Sequence, residues 1–517
     1  MMLPHPRKRQ TPSKFYRPRL AQFSSRGEAA RGLALASRSL WHRLRLSFGL
    51  MTRIEKRATL VFLVLTAVML TYKAANAYLA QTISLPAAGG VYREVVIGDA
   101  KNLNPVFAYS DAEKSVSKLL FSTLVHTDYT GVHPAVAERW EISPDGLNYT
   151  FYLRRDVRFH DGAKLTAKDV AATIEAIKTQ NIDGTKSQLH DAWKDVGVNI
   201  VDDYQIVFTL PKSYGPFIYN CSFGIIPSHL SPEEFTRQFV GSGPFKFKKS
   251  DLANRKITRL ELERSDNYFG DKPYLQGIEL LFSENEGEGK RQFEGGSVLG
   301  IFGAGVEKAS VLNYSYQSSR RFGLIFNLRQ EKLKDKELRR RLIEGERLSD
   351  PLKLRLVTLN APLQRSRAES LKEQWVGQNV EFEVIYLSAI QLKDVLDSKE
   401  FEILLYGFNF GYDRDPYVFW HSSQLDKLNF AGYTDKNSDI LLEDARMAPD
   451  KGVRQEKYDQ FARILEKEYA AKFWEPIKYD YFIDPKLKGV TLSQGCEPSS
   501  RFDNVAKWYL KEKRVRK

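Results

Sequence analysis

Residues Pro134–Val170 read PAVAERWEISPDGLNYTFYLRRDVRFHDGAKLTAKDV, and the order of turns and apolar positions in this stretch decides the fold. Asp145-Gly146 is a strong turn dipeptide. Beyond it Tyr149, Phe151 and Leu153 alternate with Thr150, Tyr152 and Arg154, the period-two pattern of a half-buried strand. His160-Asp161-Gly162 turns the chain again. Thr166 with Asp169 three residues on has the form of a capping box, and Val170, Ile174 and Ile177 come next at helical spacing. The pattern predicts a hairpin, a strand and a helix start, and by itself it carries no activity.

The same pieces, in this order, resemble the family 5 extracellular solute-binding proteins, the peptide-binding receptors of ABC importers. That family carries a run of the form P-x-LAE-x-W-x-x-S-x-DG-x-x-YTF-x-LR-x-x-V-x-FHDG-x-x-x-TA-x-DV, and nearly every fixed position is present here. Other segments extend the likeness. Val91–Ile97 with Leu103-Asn104-Pro105 is similar to the family's opening strand and its L-N-P turn, and Leu124–Gly131 to its LV-x-x-D-x-x-G. Gly241–Phe247 (GSGPFKF) and Arg264–Phe282 match two further segments. Phe322–Leu342 is a degraded match, with Leu338-Arg339 in the Val-Arg place and Arg341 in the Ala place. After it Leu348–Pro351 runs almost directly into LKLRLVTLN, so the second lobe reads as trimmed. The resemblance implies an α/β protein with the two-lobe periplasmic-binding-protein-like fold (type II, cluster C) and a hinge that closes over ligand.

Composition bounds the rest. The chain has 517 residues, is 42% hydrophobic and carries a formal charge of +14. Residues 1–57 hold 14 Lys and Arg against Glu28 and Glu55, so +12 of the charge lies in this segment and only +2 in the remaining 460 residues. A near-neutral body argues against nucleic acid as a partner. The basic segment, poor in periodicity, reads as a mostly disordered cytoplasmic tail. Ala58–Tyr72 is uncharged and mostly apolar, Lys73 can snorkel, and the span can continue to residue 80. Positive residues before it and few just after it place the tail in the cytoplasm and the body outside, anchored in the lipid bilayer through residues 58–80. Ala75-Asn76-Ala77 also fits a signal-peptidase site, although an n-region of more than fifty residues favours an uncleaved anchor. Cys221 and Cys496 are the two cysteines, and either a disulfide or two unpaired thiols fits them.

For the body we expect a first lobe over 84–283, a second over 284–479 and a return to the first over 480–517. Ser84–Gly90 reads as a tether, Ser110–Val125 as a helix and Glu284–Lys290 as a lobe crossover. Phe382, Val384 and Tyr386 alternate, and Phe401–Tyr406 (FEILLY) is an apolar run of the kind found in a strand covered on both faces. Arg454–Tyr469 is a helix candidate.

Ligands of open α/β sheets bind beyond the carboxyl ends of the strands. After FEILLY come Phe408–Gln424 (FNFGYDRDPYVFWHSSQ), which resemble the family's W-x-x-DY-x-DP segment. Peptide-binding members place an Asp there that pairs with the ligand's α-ammonium. Counted back from Pro416, that position falls on Tyr412, Asn409 stands in the Trp place, and a one-residue slip lets Asp413 serve. The candidate contacts are therefore Asp413, Tyr412, Asn409, Phe410, Asp415 and Trp420. The alternative is that the two aspartates cap the turn and the aromatics are core. Asn429–Leu442 reads as scaffold. No HExxH, G-x-S-x-G or Cys/His cluster of metal spacing occurs among the eight histidines and two cysteines, so neither enzyme activity nor a cofactor is expected. The implied function is capture of a peptide ligand and delivery to an ABC permease. The alternatives are an envelope interaction or chaperone-like module, or a non-peptide solute such as a sugar, metal chelate or haem.

Overall fold

The computed structural model describes residues 51–517 apart from 180, 183–184, 255, 304, 307–310 and 493–496. The expected disordered tail and any pairing of Cys496 lie outside the described residues. The chain divides into two compact units, one reaching to Ser84 and including Arg514–Lys517, the other Leu85–Lys513.

In the first unit Arg53–Gln81 is a 29-residue helix. Thr52 caps it: its hydroxyl accepts from the Glu55 N–H while the Glu55 carboxylate accepts from the Thr52 N–H. The helix is long and apolar enough to cross a membrane, and none of its side chains is buried. It continues through Lys73 and Ala77 without a break. The segment expected as a tether is instead largely strand: Thr82–Ala87 pairs with Lys511–Arg516, which supplies the ladder partners a free tether lacks.

The second unit is built on a ten-stranded mixed sheet. Its order is Phe245–Ala253, Lys256–Arg264, Gly277–Ser283, Val91–Ile97, Gly300–Phe302, Ala471–Ile483, Leu312–Phe326, Ile403–Asn409, Leu352–Leu359, Val380–Leu387. Two long neighbours, Leu312–Phe326 and Ala471–Ile483, join its halves, and their register slips between Gln317 and Arg321. A separate four-stranded sheet holds the diagnostic stretch. There Tyr149, Phe151 and Leu153 point inward, with Phe151 opposite Ile206 and Tyr149 opposite Phe208. Val170, Ile174 and Ile177 of the helix Ala167–Thr179 cover them. Asp169 accepts from the Thr166 N–H and, with its other oxygen, from Ser228. The apolar run FEILLY is covered on both faces, Leu404 facing one core and Ile403 and Leu405 another.

Two expectations change. The helix after Ser110 ends at Leu120 rather than Val125, because Phe121 turns extended and Thr123 bridges to Gly224. The stretch read as a crossover begins a helix, Glu286–Glu294, whose Gly289 packs against Val95 and Ile97 where a Cβ has no room. The chain then pairs Gly300–Phe302 with the opening strand before it moves on.

A buried ion pair ties the ends of the second unit together. Arg501 donates Nε and Nη2 to Glu94 Oε1 at 2.9 and 2.6 Å, and the Tyr92 and Tyr481 hydroxyls donate to Oε2 at 2.8 and 2.5 Å. Glu94 is 0% and Arg501 1% exposed. Gly300 is required beside it, since a Cβ there would lie 1.8 Å from the Tyr92 hydroxyl oxygen. Removing one partner of such a pair leaves a buried charge. Arg501→Met is therefore expected to cost about 3–5 kcal/mol, read as a fall in the thermal midpoint, with Glu94→Gln added to it restoring part of the loss.

His160 clamps the diagnostic stretch to GSGPF. The Gly241 N–H donates to Nδ1 at 3.2 Å, which leaves Nε2–H to donate to Gly243 O at 3.0 Å. Burial is the main cause that lowers the His160 pKa to about 4. A native pKa below the unfolded value means that the unfolded chain binds the extra proton first. The clamp's contribution is then full above the unfolded pKa of about 6.5 and is lost as pH falls toward 4. The thermal midpoint is expected to drop over that range, and His160→Gln should flatten the drop.

Candidate functional site

The strand Ile403–Asn409 lies between Leu312–Phe326 and Leu352–Leu359 and delivers its carboxyl end to the seam between the two halves of the second unit. Side-chain alternation sorts the residues at that end. Phe408 and Phe410 turn into the core against Phe419 and Phe473, whereas Asn409 faces the other way and accepts the Ser319 hydroxyl at 2.6 Å and the Gly411 N–H at 3.2 Å. Gly411 (φ 63°) and Arg414 (φ 59°) supply the left-handed residues of the turn.

Both aspartates of the turn carry arginines. Asp413 is 7% exposed and is held by Arg454, whose Nη2 donates to Oδ1 at 2.6 Å and whose Nε donates to Oδ1 and Oδ2 at 3.0 and 3.2 Å. Tyr458 OH donates to Oδ2 at 3.2 Å, and the remaining Arg454 nitrogen closes on the carbonyls of Ala448 and Pro449. Burial raises the Asp413 pKa, and the neighbouring Asp415 charge adds to this against the pull of Arg454. Asp415 accepts the Tyr417 N–H at 2.9 Å, the turn-capping role, and binds Arg446 through Nε and Nη2 at 2.7 and 2.6 Å. The carboxylate expected to meet a ligand ammonium thus already meets a guanidinium, and a ligand would have to exchange with Arg454.

The seam is closed by contacts that no local pattern announces. Arg320, at the register slip, donates to both oxygens of Asp111 at 2.8 and 2.5 Å and to Tyr479 OH at 3.0 Å. Tyr412 OH lies 3.1 Å from Ser500 Oγ, and Arg414 Nη2 donates to Tyr129 OH at 2.5 Å. Arg446 stacks 3.7 Å over Tyr417 and 5.1 Å from the Tyr214 ring. Gly215 sits against Ala448 so closely that a Cβ would lie 2.2 Å from its carbonyl oxygen. Tyr214, next in chain, is half-buried near both aspartates, and its pKa is pushed up, chiefly by desolvation.

Beside the turn is a cavity of about 680 Å³, within the range of small-ligand sites. Its floor is Phe410, Trp420, Phe461 and Phe473, with Arg321 and Asp459 also among its walls. Of the six residues named from the sequence, Phe410 and Trp420 line it. Trp420 is also core, 2% exposed and in contact with Tyr433, Phe461 and Phe473. Asn429 is scaffold as read: its amide nitrogen donates to the carbonyls of Trp420, His421 and Tyr433. A partly exposed pair such as Arg320–Asp111 is worth about 1 kcal/mol or less. Arg320→Ala is expected to shift ligand-free protein toward an open seam, seen in small-angle scattering as a larger radius of gyration; an unchanged radius would show that the pair does not control closure.

Residues 131–342 match the family model of bacterial extracellular solute-binding proteins, family 5 Middle. The chain is 22% identical to the oligopeptide-binding protein AppA of Bacillus subtilis over 85% of its own length and 95% of that protein's. It is 27% identical to the dipeptide-binding protein of Escherichia coli over 39% of its own length and 43% of the relative's. A substrate-binding protein of an ABC transporter, CtaP of Listeria monocytogenes, superposes with a TM-score of 0.70 at 23% identity, covering 82% of this chain and 99% of that one. NikZ of Campylobacter jejuni, solved with Ni(L-His), gives 0.65 at 22%, with 81% and 99% covered. The two-lobe periplasmic-binding-protein fold is common to these structures and to this chain. Residues 131–342 thus carry the family 5 extracellular solute-binding signature, and the chain as a whole is similar to that family in its alignment and its two-lobe fold.

Proposed function

We propose that this protein is held to the membrane by the helix Arg53–Gln81, captures peptides outside the cytoplasm between its two lobes, and delivers them to an ABC permease formed by other chains. The observation that carries the reading is the alignment along 95% of an oligopeptide-binding protein. The B. subtilis protein solved with a nonapeptide adds to it, with a TM-score of 0.65 at 20% identity and 83% and 100% of the two chains covered. The first lobe comprises 84–283 with 480–517, and the second 284–479. Ligand enters the seam at residues 409–415. Asn409 and Tyr412 offer polar atoms to a peptide backbone, and Asp413 takes the α-ammonium when Arg454 releases it, a charge-assisted bond inside a low-dielectric seam. Phe410 and Trp420 border space for a side chain, and Asp415 keeps the turn.

The Asp413–Arg454 pair also favours a second reading. A carboxylate satisfied internally suits a module that keeps the fold as an envelope interaction or chaperone-like element without feeding a transporter. Native mass spectrometry of the full chain in detergent, stripped and rechallenged with a mixed peptide pool, separates the two. Peptide capture predicts a retained peptide mass that Asp413→Ala abolishes. A folded protein that stays empty in every peptide pool would overturn it, and retention of a metal chelate or haem in the same assay would assign that ligand instead.

A further inference from the structure

The sequence shows few positive charges just beyond the apolar span, yet the fold brings some there. Lys511–Lys517 reads KEKRVRK, five basic residues against Glu512, and Glu512 is paired with Lys488. Within the first unit the end of this segment, Arg514–Lys517, is held against the end of the helix Arg53–Gln81. The Lys517 N–H donates to Gln81 O at 3.0 Å, and Arg514 Nε donates to Thr82 Oγ1 at 3.2 Å. Lys513, Arg514, Arg516 and Lys517 are all exposed. Two apolar side chains of the partner strand, Ile83 and Leu85, are 41% and 39% exposed beside them.

The helix sets the depth of this ribbon. Twenty residues from Ala58 to Ala77 rise about 30 Å, the thickness of a hydrocarbon core. Gln81 then stands about 6 Å beyond that core, in the headgroup layer. Lys73 lies about 6 Å inside the boundary, within the reach of a snorkelling lysine. A cationic strand with exposed Ile and Leu on its partner, hydrogen-bonded to a helix end at that depth, has the composition of a membrane-interface element.

We propose that the helix-proximal end of the ribbon, Thr82–Ser84 with Arg514–Lys517, binds the anionic phospholipid headgroups of the leaflet into which the helix emerges, with Arg514, Arg516 and Lys517 as the phosphate-facing cations. The inference rests on the membrane anchor of the proposed function. It makes the chain's last strand part of the attachment, so that the protein holds the bilayer at two covalently distant points joined by a hydrogen-bonded ladder.

The test uses the full chain in nanodiscs of phosphatidylcholine alone and of phosphatidylcholine with phosphatidylglycerol, read by amide hydrogen exchange over 82–84 and 514–517. Each cation near an anionic surface contributes about 1 kcal/mol, so binding is expected to slow exchange in these strands by about tenfold or more in the anionic discs. Raised salt and the triple variant R514Q/R516Q/K517Q should both remove the difference, with the protein still incorporated through its helix. Equal exchange in the two lipids, with incorporation intact, overturns the inference and leaves the anchor standing. Failure of the wild-type chain to incorporate into either disc overturns the anchor, and this proposal with it.

Discussion

Everything in the second unit depends on a charge that water cannot reach. Glu94 sits on the opening strand, Tyr481 on the strand that returns from the second half, and Arg501 in the last turns of the chain. Burying a carboxylate costs several kcal/mol unless its oxygens are met, and here Tyr92 of the same strand and two distant segments meet them. Arg501 also donates to Ser115 and Pro498, and the helix of Ser115 reaches the same C-terminal segment through Lys114–Glu497 and Lys118–Asp503. The pair works as a registry device: the carboxylate on the opening strand is satisfied only once the segment of Arg501 has come back to it. Burial pushes both tyrosine phenols up, so they stay protonated and remain donors to the carboxylate.

The seam obeys the same logic with weaker terms. Asp413 and Asp415 lie on the turn that follows the strand Ile403–Asn409, and each is neutralised by an arginine from a helix further along the chain. Arg454 has a second duty, closing the carbonyls of Ala448 and Pro449 at the point where Gly215 approaches. Exchange of Arg454 for a ligand cation would therefore loosen that contact as well as free the carboxylate. A ligand at Asp413 would thus act on that contact too, and would shift the balance only by what it gains over Arg454.

Local pattern was legible wherever local physics dominates. Alternation placed Tyr149, Phe151 and Leu153 on the inner face, and the apolar run at residues 401–406 enters the strand Ile403–Asn409, covered on both sides. It failed where a partner distant in sequence overrides propensity. Residues 84–90 have tether composition yet are strand through Ala87, because Lys511–Arg516 offers hydrogen bonds. Glu284–Lys290 is polar and glycine-rich and gave no helix signal, yet a helix starts at Glu286 and packs its Gly289 against Val95 and Ile97. The six named site residues show the same division. Their clustering on one turn comes from chain adjacency, while the arginines that answer the aspartates lie 31 and 41 residues on and carry no local signature.

From its sequence alone this protein's likeness to family 5, its two-lobe α/β fold and a membrane-length apolar helix could be read, because turn chemistry, periodicity and a long ordered motif are short-range properties of the chain. Only the tertiary structure decided the state of the chemistry. It gave Asp413 an internal cation, joined Arg320 to Asp111 far apart in the chain, and laid a basic strand beside the end of the apolar helix. Electrostatic partners are set by distance in space, and in a sheet that pairs first strands with last ones, distance along the chain says little about that.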